Sequence, residues 1–237
     1  SLGTSGTLYG YADRPVIDPQ GRVAAFCSST GGWLPLVCTM NCTVATELTR
    51  RLFDIELPRV AETAARAPAG SERIITLPFY NGERTPNLPA GRGSVTGLTP
   101  DNFKKENLLR SSMEAAVMGL KNGLQAFRQC GFAPSEIRLI GGGARNPLWR
   151  QLAADIMELP VVLPAGEEAA ALGAALQALW CSEKQAGREA AISTVVREHV
   201  KLDKTAGCTP DKENAAVYRS LYADYSRYLE ALSPLFQ

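Results

Sequence analysis

Two short glycine-containing segments, far apart in the sequence, constrain this chain more than any other feature. The first is the turn at residues 1–7, where Gly3 and Gly6 are interspersed with hydroxyl side chains. The second is the run of three glycines at residues 141–143. Each segment is a weak signal alone. Together they predict two stretches of bare backbone that hold one nucleotide, the first at its terminal phosphates and the second at its adenosine.

The first segment has the composition of an anion-binding turn. Gly3 and Gly6 allow positive φ angles and a close approach to a ligand, and successive N–H groups in such a turn can converge on an anion. Thr4, Ser5 and Thr7 add hydroxyl donors. No lysine is needed for this kind of turn, and the Walker A pattern is absent from the sequence. The alternative is an ordinary hairpin turn rich in glycine and serine.

The second segment lies between a predicted strand and a predicted helix. Consecutive glycines remove all side chains at the carboxyl end of the strand, where open α/β sheets bind ligands, so a base or ribose could lie against the backbone. Asn146 could bond that base or ribose, or could simply cap the helix that follows. The segment is not a dinucleotide-binding fingerprint, because that pattern would require glycine at position 146.

Composition narrows the partners of the chain. Its 237 residues carry 25 Lys and Arg against 24 Asp and Glu, so charge gives no reason to expect nucleic acid or an anionic membrane as partner. The six cysteines form no Cys-x-x-Cys pair, and the single histidine, His199, is distant in sequence, so no metal site is expected. Reduced cysteines predict a cytoplasmic protein, and no apolar run is long enough to span a membrane.

The order of predicted elements indicates an α/β domain with a mixed sheet and no internal boundary. Three short strands come first, and strands and helices alternate later. The predicted strands lie at residues 7–11, 23–28, 34–39, 74–79, 136–140 and 161–163. The predicted helices lie at residues 43–53, 61–66, 148–158 and 167–180, and two more begin at Thr99 and Thr209.

A long irregular stretch at residues 80–97, rich in proline and glycine, interrupts this order. Loops of this length inside a domain are uncommon and often functional. Glu83 and Arg84 in this loop could line a ligand cleft, or they could form an internal ion pair that holds the loop.

Five motifs stand in the order seen in the FGGY-type carbohydrate kinases. They are Ser-Leu-Gly-Thr-Ser-Gly at residues 1–6, Leu-Pro-Phe-Tyr-Asn-Gly-Glu-Arg-Thr-Pro at 77–86, Gly-Leu-Thr at 97–99, Leu-Ile-Gly-Gly-Gly-Ala-Arg-Asn-Pro-Leu-Trp-Arg-Gln at 139–151 and Ala-Leu-Gly-Ala-Ala at 171–175. The chain resembles this family over nearly its whole length, with a weaker match after about residue 183. The Gly-Glu-Arg-Thr-Pro part is more similar to xylulose kinases than to glycerol kinases.

The resemblance implies an actin-like, ribonuclease-H-like ATPase domain, with a mixed sheet flanked by helices, that uses ATP and Mg²⁺. Residues 1–237 would be the C-terminal ATP-binding domain of a two-domain kinase, with most sugar contacts in an N-terminal domain. No residue of this chain matches the family's catalytic Asp, which is expected upstream of Ser1, so the chain alone is expected to be inactive. The resemblance assigns the terminal phosphates to Thr4, Ser5 and Gly6, the adenosine to Gly142, Gly143 and Asn146, and, by a looser match, an approach to the nucleotide to Thr43.

Two classes of function remain open. The first is a kinase that moves the γ-phosphate of ATP to a hydroxyl of D-xylulose, with glycerol, ribulose, gluconate or fuculose as alternative acceptors. A homodimer of the full-length enzyme is one expected assembly. The second class is a non-catalytic sugar or nucleotide sensor that keeps the same fold.

Overall fold

The computed structural model describes residues 1–166, 168–188 and 191–236, apart from the side chain of residue 204. An antiparallel sheet comes first in the chain, and its inner face packs on a long helix. Val37 and Thr39 are buried, whereas Cys38 between them is half-buried, and Val37 packs against Ala126 and Phe127. The strands, in the spatial order β1–β3–β2, are β1 (Gly6–Tyr9), β2 (Ala24–Cys27) and β3 (Trp33–Thr39).

Two helices and a two-stranded antiparallel sheet follow the first sheet. They are α1 (Thr43–Leu52), α2 (Val60–Ala65), β4 (Ile75–Pro78) and β5 (Gly93–Thr96). Strand β5 lies inside the stretch that the sequence analysis treated as irregular, and that assignment is wrong for these four residues. The strand was missed because it is short and half exposed, so it carries no apolar run, and its pairing with buried β4 decides its conformation.

Helix α3 (Lys105–Gln129) forms the centre of the core. The predicted apolar stripe is confirmed, since Leu109, Met113, Val117 and other members of it are buried. The predicted start at Thr99 is wrong. Thr99 and Asn102 instead close a separate turn, in which the Thr99 amide donates to Asn102 Oδ1 at 2.8 Å and the Asn102 amide donates to Thr99 Oγ1 at 3.3 Å.

The last part of the chain contains a mixed sheet in which β6 and β7 are parallel and β7 and β8 are antiparallel. Its elements are β6 (Ile137–Arg138), α4 (Pro147–Met157), β7 (Val161–Pro164), α5 (Ala169–Gln185), α6 (Ile192–His199), β8 (Leu202–Cys208) and α7 (Lys212–Leu232). Neither α6 nor β8 was predicted from the sequence, and residue 167, the predicted start of α5, lies outside the described residues.

Helix α7 begins later than the sequence analysis predicted. Asp211, rather than Thr209, caps it, because Asp211 Oδ1 accepts the amide of Asn214 at 2.9 Å. Tyr218, Leu221 and Tyr225 on this helix are buried in the main core together with α3 and α4. Within the described residues, no helix has the length and apolar character needed to cross a membrane.

Candidate functional site

The two glycine segments meet directly, as the sequence predicted. The amide of Leu2 donates to the carbonyl oxygen of Ile140 at 2.9 Å, and the amide of Gly143 donates to the carbonyl oxygen of Leu2 at 3.0 Å. These bonds join the turn before β1 to the segment after β6. The backbone of Leu2 therefore forms the junction between the two segments.

The start of α1 is fastened to the same turn. The amide of Cys42 donates to the carbonyl oxygen of Thr4 at 2.9 Å, and the amide and Oγ1 of Thr43 donate to the carbonyl oxygen of Gly3 at 3.0 and 2.9 Å. No side chain caps this helix. The amides of its first turn, at Val44 and Ala45, have no acceptor within the helix, so this end carries a partial positive charge.

A groove of about 760 Å³ lies where these three segments meet. Thr4 from the first turn, Thr43 from α1, and Gly142, Gly143 and Asn146 from the later segment all line it. Its volume is in the range of pockets that hold small molecules and cofactors. These five residues were assigned to one nucleotide from the sequence, and in the structure all five line one groove.

An apolar part of the groove comes from residues that the sequence analysis did not single out. Leu57 and Pro58, in a short 3₁₀ turn, and Val60 and Ala61, in α2, line it together with Trp149 of α4. Their apolar character was visible in the sequence. However, it fits an ordinary core face equally well, and no local signal indicated that this face borders a cavity.

The three consecutive glycines have different roles. A Cβ at Gly141, which has a φ of +94°, would lie 2.7 Å from the carbonyl oxygen of Leu2, and a Cβ at Gly143 would lie 2.8 Å from Leu2 Cβ. A Cβ at Gly142 would meet no atom within 4 Å. Gly141 and Gly143 therefore allow Leu2 to approach, whereas Gly142 leaves open space on the side of the groove.

Comparison with known proteins shows the family of the chain. The sequence profile described as "FGGY family of carbohydrate kinases, C-terminal domain" matches residues 1–182. The chain belongs to the FGGY family of carbohydrate kinases. Its mixed α/β architecture is the actin-like ATPase fold that the sequence resemblance implied.

Named relatives include kinases of more than one sugar. The chain is 44% identical to the xylulose kinase of Haemophilus influenzae over 236 residues, which is 100% of this chain and 46% of the relative. It is 29% identical to the gluconokinase of Bacillus subtilis, over 97% of this chain and 47% of the relative. The solved structure of ligand-bound xylulose kinase from Lactobacillus acidophilus superposes with a TM-score of 0.87 at 27% identity, covering 98% of this chain and 46% of that chain. The chain thus spans about half the length of the relatives it matches.

In this FGGY domain, Asn146 caps α4 and also lines the groove. Its Oδ1 accepts the amides of Leu148 at 2.9 Å and Trp149 at 3.4 Å. Both roles considered from the sequence are therefore compatible, because the cap uses the oxygen and leaves the Nδ2 amino group as the donor that could face a ligand.

Two residues assigned to the phosphates by resemblance lie outside the groove lining. Ser5 is exposed, and its carbonyl oxygen accepts the amide of Gly3 at 3.2 Å. Gly6 is buried at the start of β1, where a Cβ would lie 2.7 Å from Thr39 Oγ1. Neither Gly3 nor Gly6 adopts the positive φ that glycine allows. Gly6 continues into an extended strand, and the absence of a side chain there serves close packing rather than an unusual backbone angle.

Glu83 and Arg84 do not line the groove either. Glu83 is only 4% exposed, and its carboxylate accepts bonds from Met40, Asn41 and the backbone amide of Arg84. The Arg84 side chain is exposed. Glu83 thus holds the long loop by accepting hydrogen bonds from amide N–H groups. Neither of the two alternatives considered from the sequence, cleft lining or an internal ion pair of Glu83 and Arg84, is confirmed.

One charged part of the groove is an ion-pair cluster on α1, and Arg145 is a further charged residue of the lining. Glu47 Oε1 lies 2.5 Å from Arg50 Nη2 and 2.6 Å from Arg51 Nε. Hydrogen bonds from Arg50, and then from Arg51, lower the pKa of Glu47 to about 2. Glu47 and Arg50 line the groove, and the two arginines hold the carboxylate in its ionised form.

Proposed function

We propose that this chain is the ATP-binding part of a carbohydrate kinase that transfers the γ-phosphate of ATP to a hydroxyl of D-xylulose. One observation carries the proposal: Thr4, the start of α1 and the segment from Gly142 to Asn146 line a single groove. Phosphoryl transfer depends mainly on positioning the phosphates and stabilising their charge, and this groove supplies a place for both.

The end of the groove formed by α1 is proposed to hold the phosphates. Val44 lines the groove at the first turn of α1, where the backbone amides lack intrahelical acceptors, and the positive end of the helix dipole favours an anion at that point. Thr4 also lines the groove, and its carbonyl oxygen accepts the amide of Cys42 directly before α1. The Thr43 hydroxyl is already donated to Gly3, so Thr43 would act through its place at the helix start.

The segment that contains Gly142 is proposed to hold the adenosine. Gly142 leaves bare backbone beside the groove, and Leu57, Pro58 and Ala61 add apolar surface against which a flat base could pack. The Nδ2 group of Asn146 would donate a hydrogen bond to the base or the ribose.

Mg²⁺ would accompany the nucleotide. In the part of the chain that the structure describes, no group of three or more His, Cys, Asp or Glu side chains could hold a metal ion. The carboxylate in the groove lining, Glu47, is already paired with Arg50 and Arg51. Mg²⁺ usually keeps several waters and binds through substrate phosphates, so it would reach this part of the enzyme on the nucleotide.

D-xylulose is the proposed acceptor because a relative that aligns over the full chain at 44% identity is named a xylulose kinase. Gluconate is a second candidate, because a named gluconokinase also aligns over 97% of the chain. Most sugar contacts and the catalytic Asp are proposed to lie in the half of the full-length enzyme that this chain does not cover. The full-length enzyme is also proposed to be a cytoplasmic homodimer.

Calorimetric titration of ADP and ATP into the 237-residue chain, with Mg²⁺ present, tests the groove directly. We expect weak but saturable binding, because the other half of the enzyme would complete the site. No heat of binding at millimolar nucleotide would reject the proposal.

Turnover of the full-length enzyme tests the acceptor and distinguishes a kinase from a sensor. An ADP-release assay should give a higher kcat/KM for D-xylulose than for gluconate, and the reverse order would favour the second candidate. The 237-residue chain alone should phosphorylate neither sugar. A full-length protein that binds sugar and nucleotide without any turnover would support the sensor.

A further inference from the structure

Glu83 has a buried carboxylate that accepts hydrogen bonds from three N–H donors. It lies on a loop that does not line the groove. Its Oε1 accepts the amide of Met40 at 2.6 Å and the amide of Arg84 at 2.8 Å, and its Oε2 accepts Asn41 Nδ2 at 3.2 Å. A buried charge is unfavourable unless such donors satisfy it. The contacts with Met40 and Asn41 fasten the long loop between β4 and β5 to the turn between β3 and α1.

Asn41 strengthens the same attachment. It is 1% exposed, its Nδ2 also donates to the carbonyl oxygen of Gly82 at 2.6 Å, and its Oδ1 accepts the amide of Asn81 at 3.2 Å. Every polar atom of the Asn41 side chain is therefore directed to the loop. The orientation of its carboxamide is fixed, because reversing it would place donors against donors and acceptors against acceptors.

The residues that follow this turn hold the groove. Cys42 bonds Thr4, and Thr43 bonds Gly3, directly after Met40 and Asn41 bond Glu83. Consecutive residues of one short turn thus connect the loop on one side to the first groove segment on the other. A shift of the turn would move the free amides of α1 and the Gly3–Thr4 backbone together.

We propose that Glu83 is a positioning residue for the end of the groove that receives the phosphates. It fixes Met40 and Asn41, and through them the first turn of α1 and the backbone of Gly3 and Thr4. The proposal rests on the nucleotide function proposed above for the groove. Glu83 itself is not among the residues that line the groove.

A carboxylate is needed at this position, and an amide would not replace it. Both Glu83 oxygens accept bonds from N–H donors. In Glu83→Gln, one acceptor becomes an NH₂ group that faces another donor, either Asn41 Nδ2 or the Met40 amide. Asn41 cannot turn over to relieve this contact without losing its own bonds to Gly82 and Asn81.

Asp155→Asn provides a matched control for Glu83→Gln. Asp155 is 1% exposed and also accepts from three donors: Gln151 Nε2 at 2.7 Å, the Asp211 amide at 2.8 Å and Asn214 Nδ2 at 3.1 Å. None of these residues lines the groove. The two variants therefore make the same chemical change in equally buried networks, and only one of the networks is attached to α1.

Two measurements on the 237-residue chain test the proposal. The first is amide hydrogen exchange at Cys42 and Thr43, whose N–H groups donate to Thr4 and Gly3. The second is ADP affinity by calorimetry. Both variants should lose stability in urea. We expect only Glu83→Gln to speed exchange at these two amides and to weaken ADP binding, by about tenfold, as for loss of a hydrogen bond to a charged group.

The possible results distinguish failure of the positioning role of Glu83 from failure of the proposed nucleotide function. Unchanged exchange and unchanged ADP affinity in Glu83→Gln, or equal changes in Asp155→Asn, would overturn the positioning role. If the wild-type chain does not bind ADP, the proposed function fails, and the exchange measurement still decides whether Glu83 fixes the turn. If Glu83→Gln does not fold, Asn41→Ser, which removes one Glu83 donor and keeps the Met40 bond, should give the same changes at smaller size, and wild-type behaviour of Asn41→Ser would reject the proposal.

Discussion

The amide of Gly143 donates to the carbonyl oxygen of Leu2 at 3.0 Å, and a side chain at Gly143 would collide with Leu2. Leu2 is 1% exposed and belongs to the main core, so this contact joins the groove to that core. Packing and ligand contact can therefore be tested separately at two neighbouring glycines of the second segment, Gly143 and Gly142.

Gly143→Ala should destabilise the chain, and Gly142→Ala should not. A Cβ at Gly143 would lie 2.8 Å from Leu2 Cβ, whereas a Cβ at Gly142 meets nothing within 4 Å. We expect Gly143→Ala to cost about 1–3 kcal/mol in urea unfolding, and Gly142→Ala to stay within about 0.5 kcal/mol of wild type. Gly142→Ala should nevertheless weaken ADP binding, because its methyl group enters the groove. Equal stabilities of the two variants would contradict this division of roles.

Asn146→Ser separates the capping role of Asn146 from ligand binding. Serine is as good a cap as asparagine but lacks the Nδ2 donor, whereas Asn146→Ala loses both and should cost about 1 kcal/mol of stability. We expect Asn146→Ser to unfold like wild type and to bind ADP several-fold more weakly in calorimetry. Wild-type affinity in Asn146→Ser would mean that Asn146 serves only as the cap of α4.

The ion pairs of Glu47 should make stability depend on pH in the acid range. The pKa of Glu47 is lowered to about 2 from 4.5 by Arg50 and Arg51, so its stabilising effect is complete above 4.5 and disappears as the pH falls towards 2. The difference in unfolding free energy between wild type and Glu47→Gln should therefore be larger at about pH 6 than at about pH 3. Urea titrations at both pH values measure it, and a difference that does not change with pH would exclude the pairing.

Much of the groove was predictable because it depends on local backbone signals. Consecutive glycines between a strand and a helix, and an asparagine before Pro147, are local features, and the structure places Gly142, Gly143 and Asn146 in the groove lining. The role of Gly6 was not predictable in this way. Its lack of a side chain is explained by Thr39 and Leu120, which are distant in sequence.

Elements without a local pattern were missed for a related reason. Strand β5 is recognisable only from its pairing with β4, and the apolar residues Leu57 and Ala61 resemble any core face until the cavity beside them is known. Threonine is a common helix cap, and this led to the predicted start at Thr99. In the structure, Thr99 instead pairs with Asn102 in a turn that precedes the helix. Tertiary contacts decided the cases of β5 and of the apolar groove residues, whereas a local turn decided the start of α3.

The cysteines should differ sharply in reactivity. Cys42 is fully buried, and burial raises the pKa of its thiol to about 12, whereas Cys27 and Cys181 are exposed. Alkylation of the native chain at about pH 8 should label Cys27 and Cys181 and leave Cys42 unmodified, as measured by mass spectrometry of peptides. Labelling in urea should reach all three. Rapid modification of native Cys42 would show that the start of α1 opens readily.

The bonds of Leu2 with Ile140 and Gly143 can form only after the ribosome has synthesised residues 140–143. A ribosome delivers Leu2 long before Ile140, so the early part of a nascent chain lacks the acceptor and donor that complete the junction. A nucleotide bound as proposed would favour only conformations in which both segments are already in place. On that proposal, cellular ATP would stabilise the finished domain and give no assistance to the earlier folding steps.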